Sequence, residues 1–247
     1  MSPERYDTIG RGYSAVRRPD PRIAAQVRSA IGGARSVVNV GAGSGSYEPD
    51  DVTTVAVEPS ELMVRQRPAH AAPVIRAYAE ALPFPDGAFD VAMAILTVHH
   101  WRDRSLGLSE LVRVSRRQVV VTWDPKLFAE RFWFERDYLP RDHEDDASGA
   151  LPAVRRVLGS RAAVEPVLVP TDCRDGFYAA YWSRPEAYLD PSVRQGISAF
   201  ASEDQSRVRD AVRRLSRDLA SGSWDARHPG LREQVALDVG YRMVVTP

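Results

Sequence analysis

Apolar and polar positions alternate along this chain in blocks that change period. Ile23, Val27 and Ile31 recur every four residues, which predicts a helix running to about Gly32. Asp20-Pro21 is its start, a cap followed by a first-turn proline. Short β-branched runs then predict strands at 36–40, 53–57, 73–77, 89–96 and 119–123. Between them, Ser60 caps a helix ending near Pro68, and Asp103 opens one with Leu108, Leu111 and Val112 on one face. Strands alternating with helices predict a parallel sheet covered on both faces. After Asp124 the pattern changes. Aromatic residues crowd 127–140 and 173–201, a sixth strand is expected at 163–169, and 203–220 reads as an amphipathic helix with Val208, Val212, Leu215 and Leu219 inward. Tyr241–Val245 is expected to close the sheet.

The 247 residues suit one α/β domain with an elaboration. Basic and acidic residues number 33 each, so no basic excess points to nucleic acid. All the basic residues but Lys126 are arginine, a coding bias rather than chemistry. The single cysteine, Cys173, excludes an internal disulfide framework and a cysteine-based zinc site, and no metal is expected. No apolar run is long enough to span a membrane. The start Met1-Ser2-Pro3-Glu4-Arg5 lacks the apolar core of a signal peptide. The expectation is a soluble cytoplasmic protein, monomer or homodimer, without membrane or nucleic-acid partners.

The most informative stretch is Val37-Val38-Asn39-Val40-Gly41-Ala42-Gly43-Ser44-Gly45, followed by Val55-Ala56-Val57-Glu58-Pro59. A strand, a three-glycine turn and a second strand ending in a carboxylate form a nucleoside-cofactor pocket. Glycines let backbone approach the ligand, and the carboxylate accepts from both ribose hydroxyls. A P-loop needs a lysine after the last glycine, and Ser46-Tyr47 stand there instead. A dinucleotide needs G-x-G-x-x-G and a full helix for its pyrophosphate, but the spacing is G-x-G-x-G and Pro49 shortens any helix to a turn or two. S-adenosylmethionine (SAM) carries no phosphate and needs neither.

At these residues the chain resembles the class I SAM-dependent methyltransferases, in particular the small-molecule, ubiquinone/menaquinone-type branch (methyltransferase type 11). Residues 38–45 resemble its first motif, 79–91 its adenine loop, and Leu96-Thr97-Val98-His99-His100-Trp101 the end of its fourth strand. The resemblance covers roughly residues 30–124. It implies a Rossmann-like, doubly wound, seven-stranded, mostly parallel sheet with a helical substrate cap. As a single domain over 1–247, the parts are an N-terminal lid and helix (1–32), a SAM-binding core (33–124), a helical cap with one inserted core strand (125–220) and a C-terminal strand (221–247).

Carried over by position, the resemblance puts the backbone of Gly41, Ala42 and Gly43 along the methionine moiety and Glu58 on the ribose. Pro59 and Met63 flank the adenine, Ala79 offers it an N–H, and Leu96 and Thr97 border the amino group. Two positions depart from the family pattern. Asn39 replaces the acid often found in strand one, and Tyr78 replaces the acid that often precedes Ala79, leaving the adenine amino group to a backbone carbonyl, Glu80 or water. Tyr13, with Tyr6, is expected in a lid over the cofactor or in ordinary N-terminal packing.

The implied activity is methyl transfer to a small-molecule acceptor, aromatic or terpenoid, in secondary metabolism (EC 2.1.1.-). Displacement at a sulfonium needs chiefly alignment of the nucleophile, and a base only when the acceptor has a proton to lose. His99 and His100, at the carboxyl end of a strand where α/β sheets bind ligands, are the catalytic candidates; passive lining or helix capping is the competing account. Asp124 reads as a turn residue before Pro125. The aromatic segments suit either a π-rich acceptor wall or the core of the cap. The arginines of 203–220 read as a solvated face. Two other functions stay open: a SAM-fold cyclase or isomerase, and a non-catalytic SAM-binding protein.

Overall fold

The computed structural model describes residues 17–141 and 150–247; Tyr6 and Tyr13 lie outside them. Helix α1 (Pro21–Ile31) begins as its sequence dictates. The Asp20 carboxylate accepts the Arg22 N–H at 2.9 Å, and Ile23, Val27 and Ile31 are buried. Strands β1 (Ser36–Val40) and β2 (Thr53–Val57) follow, with turns alone between them. The short helix allowed after Gly45 is therefore absent. Helix α2 (Glu61–Arg65) is capped by Ser60 and stops short of Pro68. Strand β3 (Val74–Ile75) is shorter than the expected 73–77, because as an outer strand it has a ladder only with β2.

Next come β4 (Phe89–Ile95), a 3-10 turn (Val98–His100), α3 (Arg104–Val114) and β5 (Ser115–Trp123). The inward stripe of α3 is Leu108, Leu111 and Val114, and Val112 is exposed. One residue is about 100° of helix rotation, so 111 and 112 cannot share the centre of a face. Asp124 caps α4 (Pro125–Arg131), accepting the Lys126 N–H at 3.0 Å.

Beyond α4 lie a π-type turn (Phe134–Tyr138), α5 (Ala150–Leu158), β6 (Ala163–Pro166) and β7 (Val169–Pro170). The expected strand 163–169 is thus two strands. Pro166 has no N–H to continue the ladder, and β7 turns away to pair with β8 (Ala236–Leu237). A 3-10 turn (Pro185–Leu189), α6 (Pro191–Gln195), α7 (Ser198–Ala201), α8 (Gln205–Ala220) and α9 (Ser223–Arg227) build the cap before β9 (Tyr241–Val245). Val208, Ala211 and Leu215 are the buried stripe of α8, with Val212 and Leu219 only partly covered.

The main sheet has the order β3-β2-β1-β4-β5-β9-β6. Strands β1 to β5 run parallel, and β9 is antiparallel to both neighbours. It is the doubly wound, seven-stranded, mostly parallel sheet anticipated, with one change. Tyr241–Val245 does not close an edge; it is inserted between β5 and β6. The strand order reverses at β1 and β4, whose carboxyl ends open a crevice, the usual ligand position in such sheets.

The cap aromatics form its core. Phe132, Trp133, Phe134, Trp182, Tyr188 and Trp224 are almost wholly buried. The Trp133 indole N–H donates to the Trp182 carbonyl at 2.7 Å, and the Tyr188 hydroxyl to the Tyr178 carbonyl at 2.7 Å. Trp133, Trp182 and Tyr188 have satisfied polar ends, and the six buried rings pack on one another as a core, so they do not form an acceptor wall. Among the described residues no helix is long and apolar enough to cross a membrane.

Candidate cofactor and active site

The carboxyl ends of β1, β2 and β4 surround a cavity that opens to solvent. Its floor is the glycine turn. Gly41, Gly43 and Gly45 all have positive φ, and the Gly41 and Ala42 N–H groups donate to the Val57 carbonyl at 2.8 and 3.1 Å. At Gly41 the requirement is steric as well. A Cβ there lies 2.0 Å from Thr97 Oγ1. The turn therefore packs directly on the end of β4.

Glu58 directly follows β2 and is buried. Oε2 accepts the Gly43 N–H at 2.8 Å, and Oε1 accepts the Ser60 N–H at 2.9 Å. These two backbone donors fix the orientation of the carboxylate. Pro59, Met63, Ala79 and Trp101 give the cavity a flat apolar slot beside this carboxylate. An oriented carboxylate acceptor beside an apolar slot complements the donating hydroxyls of a ribose and the face of a purine, and no lysine of a phosphate cradle lines the cavity. The residues fit SAM.

Asn39 lines the cavity, yet its amide points to a partner. Nδ2 donates to Glu48 Oε1 at 3.1 Å, and Glu48 is in a buried ion pair with Arg67 at 2.8 Å. Arg67 also donates to the Gly43 carbonyl at 3.2 Å and the Ala72 carbonyl at 2.9 Å. The carboxylate missing from strand one is thus supplied nine positions later, and the amide is what lets the two positions meet.

Glu80 lines the cavity with Oε1 already engaged, accepting the Arg102 and Asp103 N–H groups at 2.7 and 3.1 Å. Tyr78 stands at the rim under the Arg102 guanidinium, 4.9 Å from ring centre to Cζ. Leu96 and Thr97 complete the wall. Leu96 has φ 51, a strained value for a branched side chain, and its N–H is tied to the Val121 carbonyl at 2.8 Å.

The two histidines differ. His100 lines the cavity; His99 does not, and packs its ring edge-on to Trp123 at 4.7 Å. Burial, then the nearby charges of Arg104 and Arg17, lowers the His99 pKa to about 3. His99 is therefore neutral at pH 7 and a poor proton acceptor.

Sequence reasoning missed Arg17, Tyr47 and Asp175. Arg17 lines the cavity and donates to Asp175 Oδ1 at 2.6 Å; Asp175, fully buried, also accepts from the Tyr47 hydroxyl at 2.7 Å. Tyr47 itself has φ 64, and burial with the Asp175 charge raises its hydroxyl pKa far above normal. The sequence carried no spacing signal for this trio, since Asp175 belongs to the segment between β7 and the cap helices. Tyr13 lies outside the described residues.

Residues 38–121 match the model of a family described as a methyltransferase domain. A solved structure of a candidate methyltransferase from an antibiotic biosynthesis pathway of Anabaena variabilis is 30% identical, with 94% of this chain and 99% of that chain covered and a TM-score of 0.80. A Thermotoga maritima SAM-dependent methyltransferase, named as a candidate histamine N-methyltransferase, is 22% identical over 67% of this chain and 79% of its own, TM-score 0.48. The Escherichia coli K12 protein YafE, itself uncharacterised, is 46% identical over 37 residues, 15% of this chain; the chain spans 18% of that relative's length.

Proposed function

The chain belongs to the class I SAM-dependent methyltransferases, and from that premise we propose that it methylates a small-molecule acceptor of secondary metabolism. The observation that carries the reading is Glu58, fixed by the Gly43 and Ser60 amides beside an apolar slot. The secondary-metabolic setting is supported by the Anabaena relative, whose description places it in antibiotic biosynthesis and whose full length this chain matches.

In this reading residues 33–124 are the cofactor core and 125–220 the substrate cap. Glu58 holds the ribose hydroxyls; Pro59, Met63, Ala79 and Trp101 enclose the adenine. The backbone of Gly41–Gly43, with Leu96 and Thr97, follows the methionine chain, and Arg17 pairs its carboxylate. Asn39 supports this end indirectly, by holding Glu48 and Arg67 beneath the turn. When bound, SAM supplies an electrophilic methyl group. The task of the chain is to align an acceptor and keep water out. His100, on the cavity wall, is the imidazole placed to take a proton from a hydroxyl or amine acceptor; His99 stays neutral and orients.

Transfer of radiolabelled methyl from SAM to product is the direct test, and product mass separates methylation from isomerisation. In calorimetry Glu58→Ala is expected to weaken SAM by about 1–3 kcal/mol. Unchanged affinity would remove Glu58 from the ribose site. His100→Ala is expected to lower kcat at saturating SAM more than His99→Ala does, and the reverse order would reassign the base.

A further inference from the structure

The arginines of α8 are not all alike. Arg207 is paired with Glu203 at 2.7 Å, and Arg213 lies 3.7 Å from Asp210 on the open surface. Arg214 and Arg217, three positions apart and so neighbours on the helix, instead line a concave pocket together with Arg227 of α9. The π-type turn supplies the facing wall through Asp137 and Tyr138. All three arginines are exposed there, so a ligand can reach them. None of these residues lines the cofactor cavity.

Two of the three guanidinium groups are held in place. Arg214 donates to the Asp137 carbonyl at 3.4 Å and to the Tyr138 carbonyl, with its Cζ 5.7 Å from the centre of the Tyr138 ring. Arg227 donates to the Tyr138 hydroxyl and to Asp218, and its Cζ is likewise 5.7 Å from that ring. The Tyr138 hydroxyl donates in turn to Asp218 at 2.7 Å. One buried tyrosine thus positions two cations at the edge of one pocket.

The carboxylates of the pocket are already engaged. Asp218 balances Arg227, and Asp137 balances Arg136, which donates to it at 2.6 Å. Backbone carbonyls hold Arg214 without cancelling its charge. Among the described residues no carboxylate lies within ion-pair distance of Arg214 or Arg217. Two positive charges are therefore left facing one concavity, where they repel each other. The helix end accounts for neither need fully. A cation in the last turn of α8 does complement the dipole. Yet the Arg217 and Leu219 carbonyls there already accept the Ser221 and Gly222 N–H groups at 3.0 and 3.2 Å, and the Asp218 carbonyl accepts the Ser221 hydroxyl at 3.2 Å.

Arginine offers only N–H donors in a planar fork, which matches the oxygens of a carboxylate or a phosphate two at a time. The charge excess decides between them. A monoanionic carboxylate balances one guanidinium; a dianionic phosphoryl group balances both. We propose that this pocket binds a phosphoryl group between Arg214 and Arg217, with Arg227 as its third wall, either as free phosphate or as the phosphate monoester of an organic molecule. The site is separate from the cofactor cavity and does not depend on the methyltransferase reading.

The probes are inorganic phosphate and phenyl phosphate, followed by phosphorus NMR, and benzoate as the monoanion, followed by proton NMR. All are titrated into the full chain at pH 8 and constant ionic strength. At least one phosphate is expected to saturate a single site, with benzoate at least about tenfold weaker. Arg214→Gln and Arg217→Gln are each expected to weaken the phosphate about tenfold. Arg209→Gln, on the same helix and outside the pocket, is expected to leave it within about twofold, since salt screens a distant charge. Tighter phenyl phosphate identifies an ester as the ligand, and tighter inorganic phosphate the free ion. Absence of saturable binding by either phosphate overturns the site. So does an equal loss in Arg209→Gln, which would mean a diffuse charge effect. Benzoate binding as tightly as the phosphates overturns the dianion assignment. Phosphate binding that S-adenosylhomocysteine displaces and Arg217→Gln leaves intact belongs to the cofactor cavity and sinks the proposal. A lowered melting temperature in Arg217→Gln with unchanged phosphate affinity makes that arginine a helix-end cation and sinks it equally.

Discussion

Arg17 Nε donates to Asp175 Oδ1 at 2.6 Å across 158 residues of sequence, and both side chains are withdrawn from solvent. Asp175 simultaneously accepts from Tyr47 of the glycine turn. One cap carboxylate thus ties the entry segment to the cofactor loop. Breaking a buried pair by removing one partner costs about 3–5 kcal/mol, since the other charge is left stranded. Asp175→Ala is expected to lose stability on that scale in denaturant unfolding. It is also expected to bind SAM more weakly at temperatures where it is fully folded. Wild-type SAM affinity in the folded variant would show that Arg17 is not held for the cofactor.

Asn39→Asp restores the acid usual in the family and is expected to harm this protein. The new carboxylate meets Glu48 Oε1 where the amide now donates at 3.1 Å. Replacing a donor by a like-charged acceptor costs about 1–3 kcal/mol. The defect shrinks as pH falls and one of the paired carboxyls takes up a proton. Urea midpoints at pH 7 and pH 5 check this; a variant as stable as the wild type at pH 7 contradicts it.

Gly41→Ala combines a positive φ with a Cβ 2.0 Å from Thr97 Oγ1. The backbone share is about 1–2 kcal/mol and the overpacking share about 1–3 kcal/mol. Adding Thr97→Ala removes Oγ1 and Cγ2 but leaves Cβ at 2.9 Å, so it is expected to recover part of the second share and none of the first. Thermal melts of the single and double variants separate them, and full recovery in the double variant would mean the backbone is unstrained.

His99 gives the fold a pH signature. Its folded pKa is lowered to about 3 from the ordinary 6.5, chiefly by burial. Between those values the unfolded chain binds the proton and the folded one does not. The contribution of His99 is therefore complete above pH 6.5 and is lost progressively as pH falls toward 3. His99→Gln is expected to flatten the stability profile in that window. An NMR titration showing the His99 ring protonating near 6.5 in the native protein would refute the burial argument.

Much of the cofactor half was legible because its determinants are local. A β-branched run is a strand wherever it lies, Asp20 caps the helix that follows it, and three glycines between two such runs make a close-approach turn. These facts depend on residues within a few positions of each other. So the sequence by itself determined the parallel core, the turn and the placing of Glu58 at the end of β2. It could not decide which of two adjacent histidines faces the cavity, because neighbours on a tight turn point apart by an angle only the packing sets. Nor could it separate a core aromatic from a pocket aromatic, since both need the same apolar surface. Where β9 enters the sheet, which carboxylate answers Asn39, and that Asp175 holds Arg17 were all decided by tertiary structure. Charge pairing and burial act through space, between residues whose separation along the chain carries no trace of their contact.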